Sequence, residues 1–239
     1  FSAFPLGVVD GLLYAKDALD FKHLYALNPA DGKIKATYTA PTGWNAPIVA
    51  NGILYYGVGA DLYAVTFAKQ QSIWHQDLSS PAPEVSVVEN IQVENNVVYA
   101  QVQVMRTPTG PHELVVAFDA RTGKKLWGPK TDAHILAITD TAIYTAAGTD
   151  LTPSAQFDAY DAHTGTLLWH KAFNPSKIPT ASDWHSIIKI QADPNTLYVS
   201  YGNRSSAGWI VAFKVKDGTL LWQANVNNQQ ANSPVSIQN

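Results

Sequence analysis

The chain contains no cysteine, so it can form neither a disulfide framework nor a thiolate metal site. No run approaches the roughly 18 apolar residues of a membrane-spanning helix, and no heptad or helical periodicity stands out. Charge is scarce as well. Only 15% of residues are Asp, Glu, Lys or Arg, the formal net charge is −3, and no basic stripe of the kind that binds nucleic acid is present. Glutamate is limited to Glu84, Glu89, Glu94 and Glu113. The seven histidines show neither His-x-His nor His-Glu-x-x-His spacing, which argues against a zinc site. There is no Gly-x-Ser-x-Gly elbow and no phosphate-cradling glycine loop.

What the chain has instead is aromatic residues in a repeated setting. The stretches "AFDARTGKKLW" (117–127), "AYDAHTGTLLW" (159–169) and "AFKVKDGTLLW" (212–222) each place a Trp four residues after a Gly. The pairs are Gly123 and Trp127, Gly165 and Trp169, Gly218 and Trp222. Two weaker copies precede them: "ALNPADGKIKA" (26–36) keeps Gly32 but has Ala36 at the Trp position, and "AVTFAKQQSIW" (64–74) keeps Trp74 but has Gln70 at the Gly position. The four Trp residues lie 53, 42 and 53 apart, a spacing typical of propellers and solenoids.

A second series runs in step. "VDGLLY", "ANGILY", "ENNVVY", "TDTAIY" and "DPNTLY" end at Tyr14, Tyr55, Tyr99, Tyr144 and Tyr198. Asp-Gly, Asn-Gly and Asn-Asn between apolar runs signal hairpins, because type I′ turns need positive φ at both central residues. In the turn before the Trp, Asn28, Asp119 or Asp161 can accept hydrogen bonds from backbone N–H groups, and the Gly supplies a left-handed residue without steric cost. Asp119 and Asp161 therefore read as turn residues before they read as catalysts. His163 belongs to such a turn, and His170 follows a packing Trp.

Each repeat holds two hairpins and so four strands. Five repeats give about twenty antiparallel strands, with no candidate for the helical crossover that a parallel sheet needs. This is the arithmetic of an all-β fold, a β-propeller of four-stranded blades. It is read as one domain over 1–239, with repeats at about 5–46, 47–84, 85–133, 134–184 and 185–232.

The pattern "LYALNPADGK", "VAFDARTGKKLW", "AYDAHTGTLLW" resembles the repeat of pyrroloquinoline-quinone-type (PQQ-like) β-propellers over essentially the whole length, most clearly in the last three repeats. The resemblance implies that Trp74, Trp127, Trp169 and Trp222 pack between blades. It also implies an extracytoplasmic location: periplasmic, secreted or cell-surface. "SPVSIQN" (233–239) aligns with "APIVAN" (46–51) and reads as the start of a further blade. The chain opens at Phe1 rather than Met and reads as a mature or excised piece. Three arrangements follow: part of a larger ring, an open ring completed by a second chain, or a five-bladed ring with a surplus strand.

Along each blade the tight turns fall at one end, and the variable loops and connectors fall at the other, where function on a rigid scaffold usually resides. At that loop-bearing end Asn45, His134, His185 and Asn232 recur just before the inner strands, and Trp44 and Trp184 precede two of them. One reading is a ligand-binding polar ring with two aromatic plates. The other is strand-end capping and inter-blade packing. A quinoprotein dehydrogenase of the resembling family would use a carboxylate base, a calcium-like ion held by Glu, Asn and Asp, and often a vicinal disulfide. The disulfide is impossible here and no carboxylate set is recognisable. The reading is thus a non-catalytic scaffold, sensor or assembly propeller without a cofactor. Its partner is a protein or the remainder of its own chain, with a dimer through open propeller ends as one form. The alternatives are a fragment of a PQQ- and calcium-dependent dehydrogenase and a carbohydrate-binding propeller.

Overall fold

The computed structural model describes residues 3–17, 22–41, 43–79, 84–105, 112–131, 134–146, 155–173, 186–193, 195–202 and 208–226. Among these there are twenty strands and no helix, in five separate four-stranded sheets with strands in sequence order. The pairings are antiparallel throughout. The first blade is β1 (Ala3–Val9), β2 (Leu12–Asp17), β3 (His23–Leu27) and β4 (Ile34–Thr39), and the second is β5 (Trp44–Ala50), β6 (Ile53–Val58), β7 (Asp61–Thr66) and β8 (Ser72–Asp77). The third is β9 (Val85–Glu94), β10 (Val97–Met105), β11 (His112–Asp119) and β12 (Lys125–Thr131). The fourth is β13 (His134–Ile138), β14 (Ala142–Ala146), β15 (Ala155–Asp161) and β16 (Leu167–Phe173), and the fifth is β17 (Ser186–Ala192), β18 (Thr196–Gly202), β19 (Gly208–Lys214) and β20 (Leu220–Val226).

By internal contacts the chain divides into two units, Phe1–Pro129 and Lys130–Asn239. Within the first unit the core lies between blades. One cluster joins Tyr14, Leu24, Ala26 and Tyr38 of the first blade to Trp44, Leu54, Tyr56 and Phe67 of the second. Another joins Tyr55, Leu62 and Trp74 of the second blade to Val88, Val98, Phe118 and Ala120 of the third. In the second unit a cluster joins Tyr144, Phe157 and Trp169 to Leu197, Val211 and Phe213. A single blade cannot cover its own faces, so within each unit a neighbouring blade supplies burial that one blade lacks.

The turns follow from the residues that occupy them. Asp10 and Gly11, Asn51 and Gly52, and Asn95 and Asn96 all have positive φ, as type I′ hairpins require. In the fourth blade Thr139 takes over: its N–H donates to Ala142 O at 2.8 Å, and its Oγ1 accepts from Ala142 N at 3.2 Å. In the fifth, Asp193 Oδ1 accepts from the N–H groups of Asn195 and Thr196, both at 2.7 Å. The second turn of each blade repeats one pattern, with the fifth residue donating to the carbonyl of the first at 2.8–2.9 Å. Gln70 meets the same demand as the glycines, with φ 54° against 69° at Gly32 and 70° at Gly123.

Candidate functional site

The residues expected at the loop-bearing end divide into two groups. Trp184, His185 and Asn232 lie outside the described residues. His134 opens β13, paired with Ala146. Trp44 and Asn45 are part of a strand, the start of β5, rather than ahead of one. Trp44 pairs with Val58 and Asn45 with Gly57, and the register then shifts before Ile48. Such a bulge turns the end of an inner strand away from its regular course.

Both side chains have structural partners. Asn45 Nδ2 donates to Val88 O at 2.9 Å, tying β5 to β9 of the next blade. Trp44 is 7% exposed. Its ring stands edge-on to Tyr56 (centroids 6.0 Å apart, 75° between planes) and tilted to Tyr38 at 6.3 Å, while Lys16 Nζ lies 5.0 Å from its centroid. Burial holds the Lys16 ammonium below its ordinary pKa. From Trp44 an aromatic ladder crosses the blade: Tyr56 stacks on Tyr63 at 5.2 Å, and Tyr63 on His75 at 4.8 Å. His75 Nε2 meets Asp61 Oδ1 at 2.7 Å.

Two of the repeat Trp residues, Trp74 and Trp169, are anchored by hydrogen bonds as well as by packing. Trp74 Nε1 donates to Ala120 O at 2.9 Å, and Tyr55 OH donates to the same carbonyl at 3.1 Å. That carbonyl belongs to the second residue of the turn in the next blade. Trp169 Nε1 donates to Val215 O at 2.8 Å, the matching position in the fifth blade. The turn glycine lies flat on the indole: a Cβ on Gly123 would come 2.7 Å from the Trp74 ring, and one on Gly218 would come 2.8 Å from the Trp169 ring. Trp127 is buried, whereas Trp222 is 46% exposed. Gly165 has φ 66°, like its counterparts.

The turn aspartates are occupied by their own turns. Asp119 Oδ1 accepts from Thr122 Oγ1 at 2.7 Å, Thr122 N at 2.8 Å and Arg121 N at 3.2 Å. Asp161 Oδ1 accepts from Thr164 N at 2.8 Å, Thr164 Oγ1 at 2.9 Å and His163 N at 3.0 Å. These bonds hold both carboxyls below the usual carboxylate range; the largest cause is the Thr122 hydroxyl at Asp119 and the Thr164 N–H at Asp161. His170 Nδ1 pairs with Asp158 Oδ1. The Tyr55 phenol is pushed up to about 12 by burial and then by the charge of Asp119, so it remains a neutral donor.

One pair escaped the sequence reading. Gln101 and Glu113 are buried, and Gln101 Nε2 donates to Glu113 Oε2 at 3.0 Å. Gln101 interrupts the apolar run "VVYAQVQV" at a position whose neighbours are core. That interruption was the available signal.

A family model described as outer membrane protein assembly factor BamB matches residues 1–133 and, a second time, 109–239. The chain belongs to this family of PQQ-like repeat propellers. Among solved structures it is similar to the quinohemoprotein alcohol dehydrogenase ADHIIG from Pseudomonas putida HK5. That match has 18% identity and a TM-score of 0.59, covering 93% of this chain and 41% of the other. It is similar to a europium-containing methanol dehydrogenase at 15% identity and a TM-score of 0.60, with 94% and 53% covered. It is also similar to BamB from Moraxella catarrhalis at 14% identity and a TM-score of 0.52, with 97% and 63% covered. At these identities the likeness is one of fold, and the chain spans 41–63% of the length of these proteins. No curated protein matches it.

The described residues can be compared with what PQQ and a calcium ion would need. Among them no three His, Cys, Asp or Glu side chains come together to hold a metal. Trp44 is covered by neighbours rather than presented as a plate, and the Asn45 amide N–H is committed to Val88.

Proposed function

We propose that the chain is a non-catalytic propeller module that binds a protein partner, as a scaffold, assembly or sensor part of a larger extracytoplasmic protein. The observation that carries this reading is the use made of the repeated polar groups. Asp119 and Asp161 each spend one carboxylate oxygen on three bonds inside their own turns. The repeat thus invests its ionisable groups in architecture. The family description, an outer membrane protein assembly factor, supports a partner-binding role and an extracytoplasmic setting. No helix among the described residues is long and apolar enough to cross a membrane.

A dehydrogenase fragment is favoured by two of the similar structures, but it would need a carboxylate and metal-ligand set supplied from elsewhere. A carbohydrate-binding propeller of the kind read from Trp44 and Trp184 would need exposed rings at the loop-bearing end, and Trp44 is buried. The test is a tryptophan-fluorescence titration with PQQ, with and without calcium, on the parent chain and on Trp44→Ala and Trp184→Ala. The scaffold reading expects no saturable quenching. Saturable, calcium-dependent quenching that is lost in either variant would overturn it.

A further inference from the structure

Positive charge and exposed apolar side chains gather at one edge of the first unit. Its outer hairpin turns, with the residues that lead into the edge strands, are 28–35, 66–73 and 119–126. They hold Lys33, Lys35, Lys69, Arg121, Lys124 and Lys125, six of the nine Lys and Arg of Phe1–Pro129, but only Asp31 and Asp119 of its eleven Asp and Glu. These segments carry a formal +4, and the rest of the unit carries −6. All six cations are exposed. They form no run in the sequence and come together only across blades.

Aliphatic side chains stand among the cations. Ile34 is 53% exposed, Leu126 40% and Ile73 38%. Apart from Leu6 and Val8 of β1, no other large apolar side chain is exposed among the described residues of this unit. A missing neighbour does not account for this, since Ile73 and Leu126 each precede a Trp that is buried. Ile73 is the extra residue of a bulge between Ser72 and Trp74, a device that re-aims a side chain.

The three segments are tied side by side. Gln70 Nε2 donates to Thr37 O of β4 at 3.1 Å, and Gln76 Nε2 of β8 donates to Gly123 O at 3.0 Å. Both acids of the segments are engaged in their own turns: Asp31 Oδ2 lies 3.5 Å from Lys33 Nζ, and Asp119 Oδ1 accepts three bonds. The inner turns at the same end add Asp10 and Glu94. Two strand spacings, about 10 Å, separate them from the outer turns, roughly one Debye length at 0.1 M salt.

We propose that this edge docks on an anionic lipid bilayer, with the cations over the phosphate headgroups and Ile34, Ile73 and Leu126 at the boundary between headgroups and acyl chains. A bilayer is favoured over an acidic protein because cation and aliphatic recur together blade by blade. A bilayer meets each copy with the same chemistry, whereas a folded partner would have to repeat in step. The proposal goes beyond the scaffold reading and does not depend on it.

The test is co-sedimentation of the chain with vesicles of phosphatidylglycerol and, separately, of phosphatidylcholine. A chain of net charge −3 has no overall attraction to an anionic surface, so a preference for phosphatidylglycerol reports the local edge. Binding to phosphatidylglycerol is expected to be at least roughly tenfold tighter, and to weaken at least tenfold between about 0.1 and 1 M salt. Lys69→Glu combined with Lys124→Glu and Lys125→Glu, its fold checked by circular dichroism, should lower affinity at least roughly a hundredfold, since each cation near such a surface contributes about fivefold. The chain has no cysteine, so Leu126→Cys gives one attachment point for an environment-sensitive dye and leaves every charge in place. That dye should brighten and shift to the blue on phosphatidylglycerol vesicles, while the same dye on Lys22→Cys, at the loop-bearing end, should not respond. Equal binding to the two lipids, no binding to phosphatidylglycerol, undiminished binding by the folded triple variant, or a dye response at Lys22 in place of Leu126 would each overturn the proposal. Binding to poly-glutamate but not to phosphatidylglycerol vesicles would also overturn it, and would assign the edge to an acidic protein.

Discussion

The joint between the first and second blades and the joint between the second and third use the same strands and turn, yet are filled by different side chains. In the later joint, Trp74 spans the gap, donates to Ala120 O and lies on Gly123. In the earlier joint Ala36 leaves that space empty from its own side, and the next blade fills it. Phe67, at the position of Ala120, is buried and stands edge-on to Tyr14 at 5.0 Å. Gln70, at the position of Gly123, reaches across and donates from Nε2 to Thr37 O at 3.1 Å. The two repeats that depart from the pattern are thus complementary departures at one interface. The lesson is that the unit of this architecture is the joint, and a repeat read alone splits each joint in two.

The largest effect expected from this contrast is at Trp74. Trp74→Ala should destabilise by about 3–5 kcal/mol, the usual cost of removing a buried large aromatic, read as a lower urea midpoint. Gly123→Ala comes next. It combines a left-handed φ with a Cβ 2.7 Å from the indole and should cost about 3 kcal/mol or more. Gly32→Ala, with the same φ and no neighbour within 4 Å, should cost only about 1–2 kcal/mol of backbone strain. Equal midpoints for the two glycine variants would mean that the indole does not set the requirement for Gly.

Smaller effects separate the tyrosines. Tyr55 OH shares Ala120 O with Trp74, so Tyr55→Phe should cost about 1 kcal/mol. The Tyr144 hydroxyl is buried beside the Thr139 side chain and makes no well-formed hydrogen bond among the described residues, so Tyr144→Phe should cost less than Tyr55→Phe. A matched loss at both positions would show that Tyr144 has a partner in solution.

The smallest effect is on pH dependence. Asp119 and Asp161 are held below the usual carboxylate range in the folded chain. Their contribution is therefore complete above the unfolded pKa of about 3.9 and fades as pH falls through the lower folded values. Asp119→Asn with Asp161→Asn should lower stability at neutral pH slightly and flatten the acid limb of a midpoint-against-pH curve. An unchanged acid limb would place the acid sensitivity elsewhere.

The blades were legible because backbone chemistry is local. Asn51-Gly52 and Asn95-Asn96 announce positive φ in the sequence itself, and the fixed step from Gly to Trp sets the register of the outer hairpin. The partners across joints were not legible. Phe67 and Gln70 read as decay of the second repeat, because the residue they answer, Ala36, lies in the first. Trp44 was placed at the loop-bearing end, but its cover comes from Lys16, Tyr38 and Tyr56 on three other strands. An exposed plate and a packed ring look the same in sequence. Gln101 stands out as a break in an apolar run, but its pairing with Glu113 was hidden for the same reason, since the bond runs between two strands.

The most direct test transplants one joint into the other, comparing the urea midpoints of Ala36→Trp alone and of Ala36→Trp combined with Phe67→Ala and Gln70→Gly. The joint account predicts that the single variant is destabilised by about 1–3 kcal/mol through overpacking against Phe67 and Gln70, and that the triple variant recovers most of that loss. A single variant as stable as the parent, or a triple variant less stable than the single, would contradict it.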